Sequence, residues 1–138
     1  MSALYCIGEV WLRLSPADAA AALAQAGAFR AQIGGSVASL CAAVARRGGH
    51  AALLTQLGDD PFGRRIQREL DAAGIDTRHI RFTSEAPTPV CFTDQADTLP
   101  YPGAGQNFPP KALDTGFLAD AAALHFTTGG LLDSPLRY

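Results

Sequence analysis

The sequence predicts an α/β fold with a mainly parallel central sheet. Short apolar runs rich in strand formers recur at residues 4–14, 51–57 and 123–127. Between them lie segments with helical spacing and helix punctuation, at residues 36–47 and 62–73. Strands alternating with helices argue for parallel pairing, because parallel neighbours need a crossover long enough to bring the chain back.

Residues 4–14, LYCIGEVWLRL, form the first predicted strand. Gly8 interrupts it, which marks a bulge or a close approach to the backbone. Ser15-Pro16 ends it. Residues 17–28 are Ala-rich and fit either a short helix or a loop. Residues 29–33, FRAQI, alternate apolar and polar side chains, as a half-exposed strand does. The stretch IGGSVASLCAAVARRGG follows, at residues 33–49. Ser36 is its expected N-cap, and Val37, Leu40, Cys41 and Val44 recur at helical spacing. Alanines nearly all round predict a helix buried on several sides. Arg46 and Arg47 suit the carboxyl end of its dipole, and Gly48 suits the position just past it.

Residues 51–57, AALLTQL, read as a buried strand. Gly58-Asp59-Asp60-Pro61 supplies a turn, a capping carboxylate and a proline at the first helical position. Ile66, Leu70 and Ala73 make one face of the next helix, which Gly74 stops. Residues 75–82 come next, Pro87 marks a turn, and residues 88–93 form a strand. Residues 94–110 hold Pro100, Pro102, Pro109 and Pro110, so an irregular excursion is expected. A short helix at residues 113–122 and a buried strand, ALHFT, at residues 123–127 come next. Asp133-Ser134-Pro135 announces one more helix. A sheet of these strands alone keeps an uncovered edge, which proteins avoid; the expectation is the first part of a larger fold.

A chain of 138 residues makes about one domain. Its apolar fraction of 48% against 17% charged is that of a globular chain rather than a disordered one. The net charge of -2 comes from interspersed signs, so neither nucleic acid nor a strongly cationic partner is expected. No basic segment leads into an apolar core at the N-terminus, and no window approaches the roughly 20 apolar residues of a membrane span. A cytoplasmic protein away from membranes is therefore expected. Cys6, Cys41 and Cys91 each lie in an apolar run without metal-ligand spacing; buried reduced thiols are expected, with no metal site.

Gly34-Gly35 opens a helix directly. Two readings stand: a plain turn, or a ligand that must come close to the backbone. The pattern is not GxGxxG, and no GxxxxGK[ST] occurs. Asp59 and Asp60 could do acid–base work, but capping accounts for them. Thr127-Thr128-Gly129-Gly130 closes a strand, where α/β sheets hold ligands or make tight turns. His50, His79 and His125 share no motif, and His125 reads as a core histidine.

Taken in order, several segments resemble the ribokinase-like carbohydrate kinases, the PfkB family. They are YCIGEVWL, IGGSVASLCAAVARRGGHAALLTQLGDDPFG, LDAAGID, APTPVCF and LHFTTGGLLDSPLR. The resemblance covers residues 1–138 and matches the family's N-terminal half, with fructokinase-like and 2-keto-3-deoxygluconate-kinase-like members nearest. It implies an αβα sandwich, partial here, with a small β-lid from two excursions, near residues 14–33 and 88–107. A sugar or sugar acid would lie between lid and sheet, held partly by Gly34 and Gly35. ATP and Mg²⁺ are implied as cofactors of the full-length enzyme, and a homodimer through the lid as an assembly.

Departures from the family pattern are equally specific. An Asp that binds sugar hydroxyls is replaced by Arg13, which offers donors only. An Asn after the glycine pair is replaced by the shorter Ser39. The second excursion looks compressed, without the usual Arg-and-aromatic strand. The implied substrate-binding residues are Gly34, Gly35, Ser39 and Arg13. The catalytic base is expected in the family's other half, within a Gly-Ala-Gly-Asp motif. Gly103-Ala104-Gly105 is followed by Gln106 in a Pro-rich loop, and reads as a coincidence. The chain is therefore expected to carry the sugar-binding half of a kinase and to be inactive alone. The alternative is a non-catalytic relative, truncated or degenerate, that binds a small polyol or dimerises.

Overall fold

The computed structural model describes residues 3–107 and 115–127. In chain order the elements are β1 (Ala3–Ile7), β2 (Trp11–Pro16), β3 (Phe29–Gly34), α1 (Ser36–Arg46), β4 (Ala51–Leu54), β5 (Gln56–Gly58) and α2 (Pro61–Ala72). They continue with β6 (Arg81–Thr83), β7 (Val90–Thr93), β8 (Thr98–Tyr101) and β9 (Ala121–Phe126). The expected helix at residues 113–122 is a 3₁₀ turn, Thr115–Asp120, running straight into β9, with Leu113 and Asp114 outside the described residues. Thr128-Gly129-Gly130 and Asp133-Ser134-Pro135 also lie outside them.

β1 is the middle strand of a parallel sheet in the order β4-β1-β9. Cys6 and Leu53 point to the face that α1 and α2 cover, where they join Val37, Cys41, Leu57, Ile66 and Leu70 in one buried cluster. Tyr5, Ala52 and Leu54 form a smaller cluster on the opposite face. One helical layer of the sandwich is thus present among the described residues. β5 and β6 make a short parallel pair that continues the line of β4.

The expected single strand at residues 4–14 is two strands belonging to two sheets. A side chain at Gly8 would stand 2.8 Å from Val37 Cγ1, so α1 presses on the backbone where the chain changes direction. β2 then enters a four-stranded sheet in the order β3-β2-β7-β8. This second sheet is the expected lid, and it is larger than expected. Residues 94–110 are not wholly irregular, because β8 pairs antiparallel with β7. Pro100 is tolerated there because β8 is an edge strand. Residues 17–28 resolve the helix-or-loop alternative as a loop with one 3₁₀ turn at Leu23–Gln25.

α1 differs from expectation at its start. Its N-cap is Gly35 at φ 111°, with no side-chain cap, and Ser36 is the first helical residue. Val37, Ala38 and Cys41 are buried, while Leu40 and residues 42–45 are only half-buried, so the described chain covers one face of the helix. α2 follows its sequence closely. Asp60 is the N-cap, Pro61 the first residue, and Gly74 at φ 82° follows the end. Cys6 and Cys41 are buried free thiols, and their mutual contact together with burial pushes the Cys41 thiol up. Cys91 is half-buried rather than buried.

Candidate functional site

The crease between the two sheets gathers several of the candidate residues. β1 ends, Gly8-Glu9-Val10 crosses over, and β2 begins the lid. β3 returns antiparallel to β2, with Trp11 opposite Gly34 and Arg13 opposite Gln32, and delivers the chain to Gly34-Gly35 at the start of α1. Gly35 must be glycine. Its positive φ suits no ordinary side chain, and a Cβ would stand 2.6 Å from the Glu9 carbonyl oxygen. Gly34 meets a different neighbour: its Cβ would lie 3.1 Å from Arg13 Nε and 3.2 Å from Nη2. The structure therefore brings Arg13 and the glycine pair together, as the sequence suggested. The Arg13 guanidinium is exposed and has no carboxylate or hydrogen-bond partner among the described residues.

Ser39 sits a turn further along α1. Its hydroxyl donates to the Gly35 carbonyl at 3.2 Å. Its side chain lines a groove of about 280 Å³ between α1 and α2, with Ala42, Arg46, Glu69 and Ala73. It is thus coupled to the glycine turn through the backbone, and its hydroxyl is already engaged.

Glu9 joins the crease as a candidate that sequence reasoning did not single out. It lies half-buried in the crease, its Cγ 3.5 Å from where a Gly105 Cβ would stand. Burial pushes its carboxyl above the ordinary glutamate value, and the Trp11 side chain pulls weakly the other way. Nothing in the run LYCIGEVWLRL singles it out; it reaches the crease because the chain breaks between β1 and β2.

Gly103-Ala104-Gly105 is a packed 3₁₀ turn, Gly103–Asn107, rather than a helix start. Ala104 is buried, its N–H donates to the Pro87 carbonyl at 2.8 Å, and its carbonyl accepts from Gln56 Nε2 at 3.0 Å. The Ala104 groups are used in clamping the lid to β5 and the Gly105 N–H in donating to the Pro102 carbonyl, so neither N–H is free to hold an anion.

Asp59 and Asp60 are structural. Asp60 accepts from the Gly63 N–H at 2.8 Å, the Thr88 N–H at 2.9 Å and the Thr88 hydroxyl at 2.8 Å. Burial opposes its ionisation, but these bonds outweigh it and hold the carboxyl below the usual range. Asp59 pairs with Arg64 at 2.5 Å on the surface. His125 is half-buried in β9, and among the described residues no three of His, Cys, Asp and Glu gather as for a metal ion.

The family model for pfkB carbohydrate kinases matches residues 1–137. The chain belongs to this family. A 2-dehydro-3-deoxygluconokinase of Thermoproteus tenax is 31% identical over 99% of this chain and 45% of its own length. A probable fructokinase-7 of Arabidopsis thaliana is 30% identical over 96% of this chain and 40% of its own. Among solved structures, an uncharacterized sugar kinase of Pyrococcus horikoshii, captured in complex with ATP, superposes with a TM-score of 0.88 at 25% identity. That match covers 97% of this chain and 46% of the kinase. The pfkB chain described here thus spans less than half the length of these relatives. The lid sheet, the glycine turn and the parallel sheet are the N-terminal portion of a ribokinase-like fold, as the sequence predicted.

Proposed function

We infer that this chain carries the sugar-binding half of a pfkB carbohydrate kinase, which transfers the γ-phosphoryl group of ATP to a hydroxyl of a sugar or sugar acid. The observation behind this reading is the Gly34-Gly35 turn lying under a lid strand, with Arg13 against it. Neither glycine carries a side chain, so the Arg13 guanidinium lies directly against Gly34, where a polyol can meet it. Gly34, Gly35 and Arg13 line the binding surface, and Ser39 supports it by tying its hydroxyl to the Gly35 carbonyl. The named relatives make fructose and 2-dehydro-3-deoxygluconate the first substrates to try.

ATP and Mg²⁺ belong to the complete enzyme, and the described residues do not fit them. No glycine-rich phosphate loop is present, and the one Gly-Ala-Gly turn is filled by Pro87 and Gln56. The nucleotide site and the base that accepts the hydroxyl proton therefore come from a complementary half. The lid's other face supports a homodimer. Phe29, Leu99 and Tyr101 are 42%, 47% and 58% exposed there, and Phe92 stacks edge-on against Phe29 and Tyr101. Among the described residues no helix is long and apolar enough to cross a membrane.

The test is a chimaera of residues 1–137 with the complementary half of the Thermoproteus kinase, assayed beside the purified chain. The chimaera should phosphorylate fructose or 2-dehydro-3-deoxygluconate, and the chain alone should bind sugar weakly and turn nothing over. ATP-dependent phosphorylation by the chain alone would overturn the assignment of catalysis to the other half. A folded chain that binds no sugar, yet dimerises, would favour the non-catalytic module that Arg13 and Ser39 also fit.

A further inference from the structure

The two faces of the lid sheet differ sharply in chemistry. In an antiparallel pair, residues opposite one another share a face, and alternate residues along a strand return to it. Arg13 lies opposite Gln32, and Ser15 lies opposite Arg30. Arg13, Ser15, Gln32 and Arg30 are therefore on one face, with Cys91 beside Arg13 on β7. Leu12, Leu14, Ala31 and Ile33 are on the other.

Two cations stand on the polar face, and no acid stands on that face of the strands. Arg13 and Arg30 are diagonal neighbours across the pair, with backbones about 7–8 Å apart. Neither has an ion-pair or hydrogen-bond partner among the described residues. Arg30 lines an open cavity of about 530 Å³ with Ser15, Ala19, Thr93 and Gln95. Asp94 borders the same cavity, but its carboxylate is occupied by the N–H groups of Leu23, Ala96 and Asp97. Glu9 lies at the base of the crease, packed toward Gly105. At the other end of the strip Arg13 reaches Gly34, beside an α1 N-terminus that has no side-chain cap. A helix N-terminus next to an unpaired guanidinium suits negative charge.

We propose that this lid face selects an anionic substrate, a sugar bearing a carboxylate or a phosphate, with Arg13 holding the anion and Arg30 extending the positive strip. The proposal rests on the sugar-kinase reading and narrows it. Arg13 cannot accept hydrogen bonds from sugar hydroxyls, but it can give two parallel ones to a carboxylate or phosphate. A neutral ketose offers these guanidinium groups only uncharged hydroxyl acceptors; an anion offers stronger, charge-assisted and bidentate ones.

Isothermal titration of the purified chain at low salt tests this, with fructose, gluconate and fructose 6-phosphate as ligands and acetate and inorganic phosphate as controls. One of the two anionic sugars should bind about tenfold or more tighter than fructose, and which one does so separates the carboxylate from the phosphate source. R13Q should remove that advantage, R13K should restore part of it, and R30Q should weaken it less. R13D should reverse the preference toward fructose. Arg13 is exposed, so these variants should melt with the parent, and circular dichroism checks this. Fructose binding as tight as the anionic sugars overturns the proposal and leaves the sugar-kinase reading standing. So does anionic-sugar binding unchanged in R13Q. Acetate or phosphate binding as well as the sugars also overturns it, since the sugar would then add nothing. A folded chain binding none of the sugars removes both readings together.

Discussion

At the residue scale, the decisive contrast is between glycines that look alike in sequence. Gly35 sits at φ 111° against the Glu9 carbonyl, whereas Gly34 has ordinary backbone and meets only the flexible end of Arg13. Gly35→Ala should therefore cost about 1–3 kcal/mol in urea unfolding, since both backbone strain and a carbonyl clash arise. Gly34→Ala should stay within about 0.5 kcal/mol of the parent, because the guanidinium can swing aside. The same methyl would displace Arg13 from the turn, so ligand affinity should fall without a matching loss of stability. Arg13 was legible as a departure from the family pattern, but its lack of a partner among the described residues was not, because partners come from strands far away in sequence. Glu9 was hidden for the same reason.

At the element scale, Asp60 shows how one side chain ties two segments. It caps α2 and also fastens the loop before β7 through Thr88. Asp60→Ala should destabilise the chain by about 1–2 kcal/mol, read as a lower urea midpoint. The pH dependence has a definite sign. The folded carboxyl lies below its unfolded value, so its stabilisation is full above the ordinary aspartate range and is lost as pH falls through the folded value. The gap between parent and Asp60→Ala should accordingly close as unfolding is measured from pH 7 down toward pH 3. The cap was legible because Asp-Pro before an amphipathic run is a local signal. Its second tie, to Thr88, was not, nor was β8, whose Pro100 argues against a strand until an edge position is known. Ser36 misled for a related reason: Gly35 takes the cap position because the crossover requires its positive φ.

At the scale of the whole molecule, the parallel sheet is built around β1 and thins toward β9. Leu124 and Phe126 are 45% and 57% exposed, and among the described residues β9 pairs on one side only. Backbone amides of β1 should resist hydrogen exchange, those of β9 should exchange far sooner, and joining the complementary half should slow β9 selectively. An exchange pattern with β9 as protected as β1 in the chain alone would contradict this. The sequence by itself determined the α/β class, the alternation of strands and helices, the cap and stop of α2, and the glycine turn at the start of α1. Those features rest on periodicity, punctuation and backbone freedom, which are local. Only the tertiary structure decided that residues 4–14 serve two sheets, that Glu9 turns into the crease, that the lid has four strands, and that Arg13 and Arg30 share an acid-free face. Each of these depends on strand register and on contacts between segments tens of residues apart, and register is set by how the whole sheet packs rather than by any one strand.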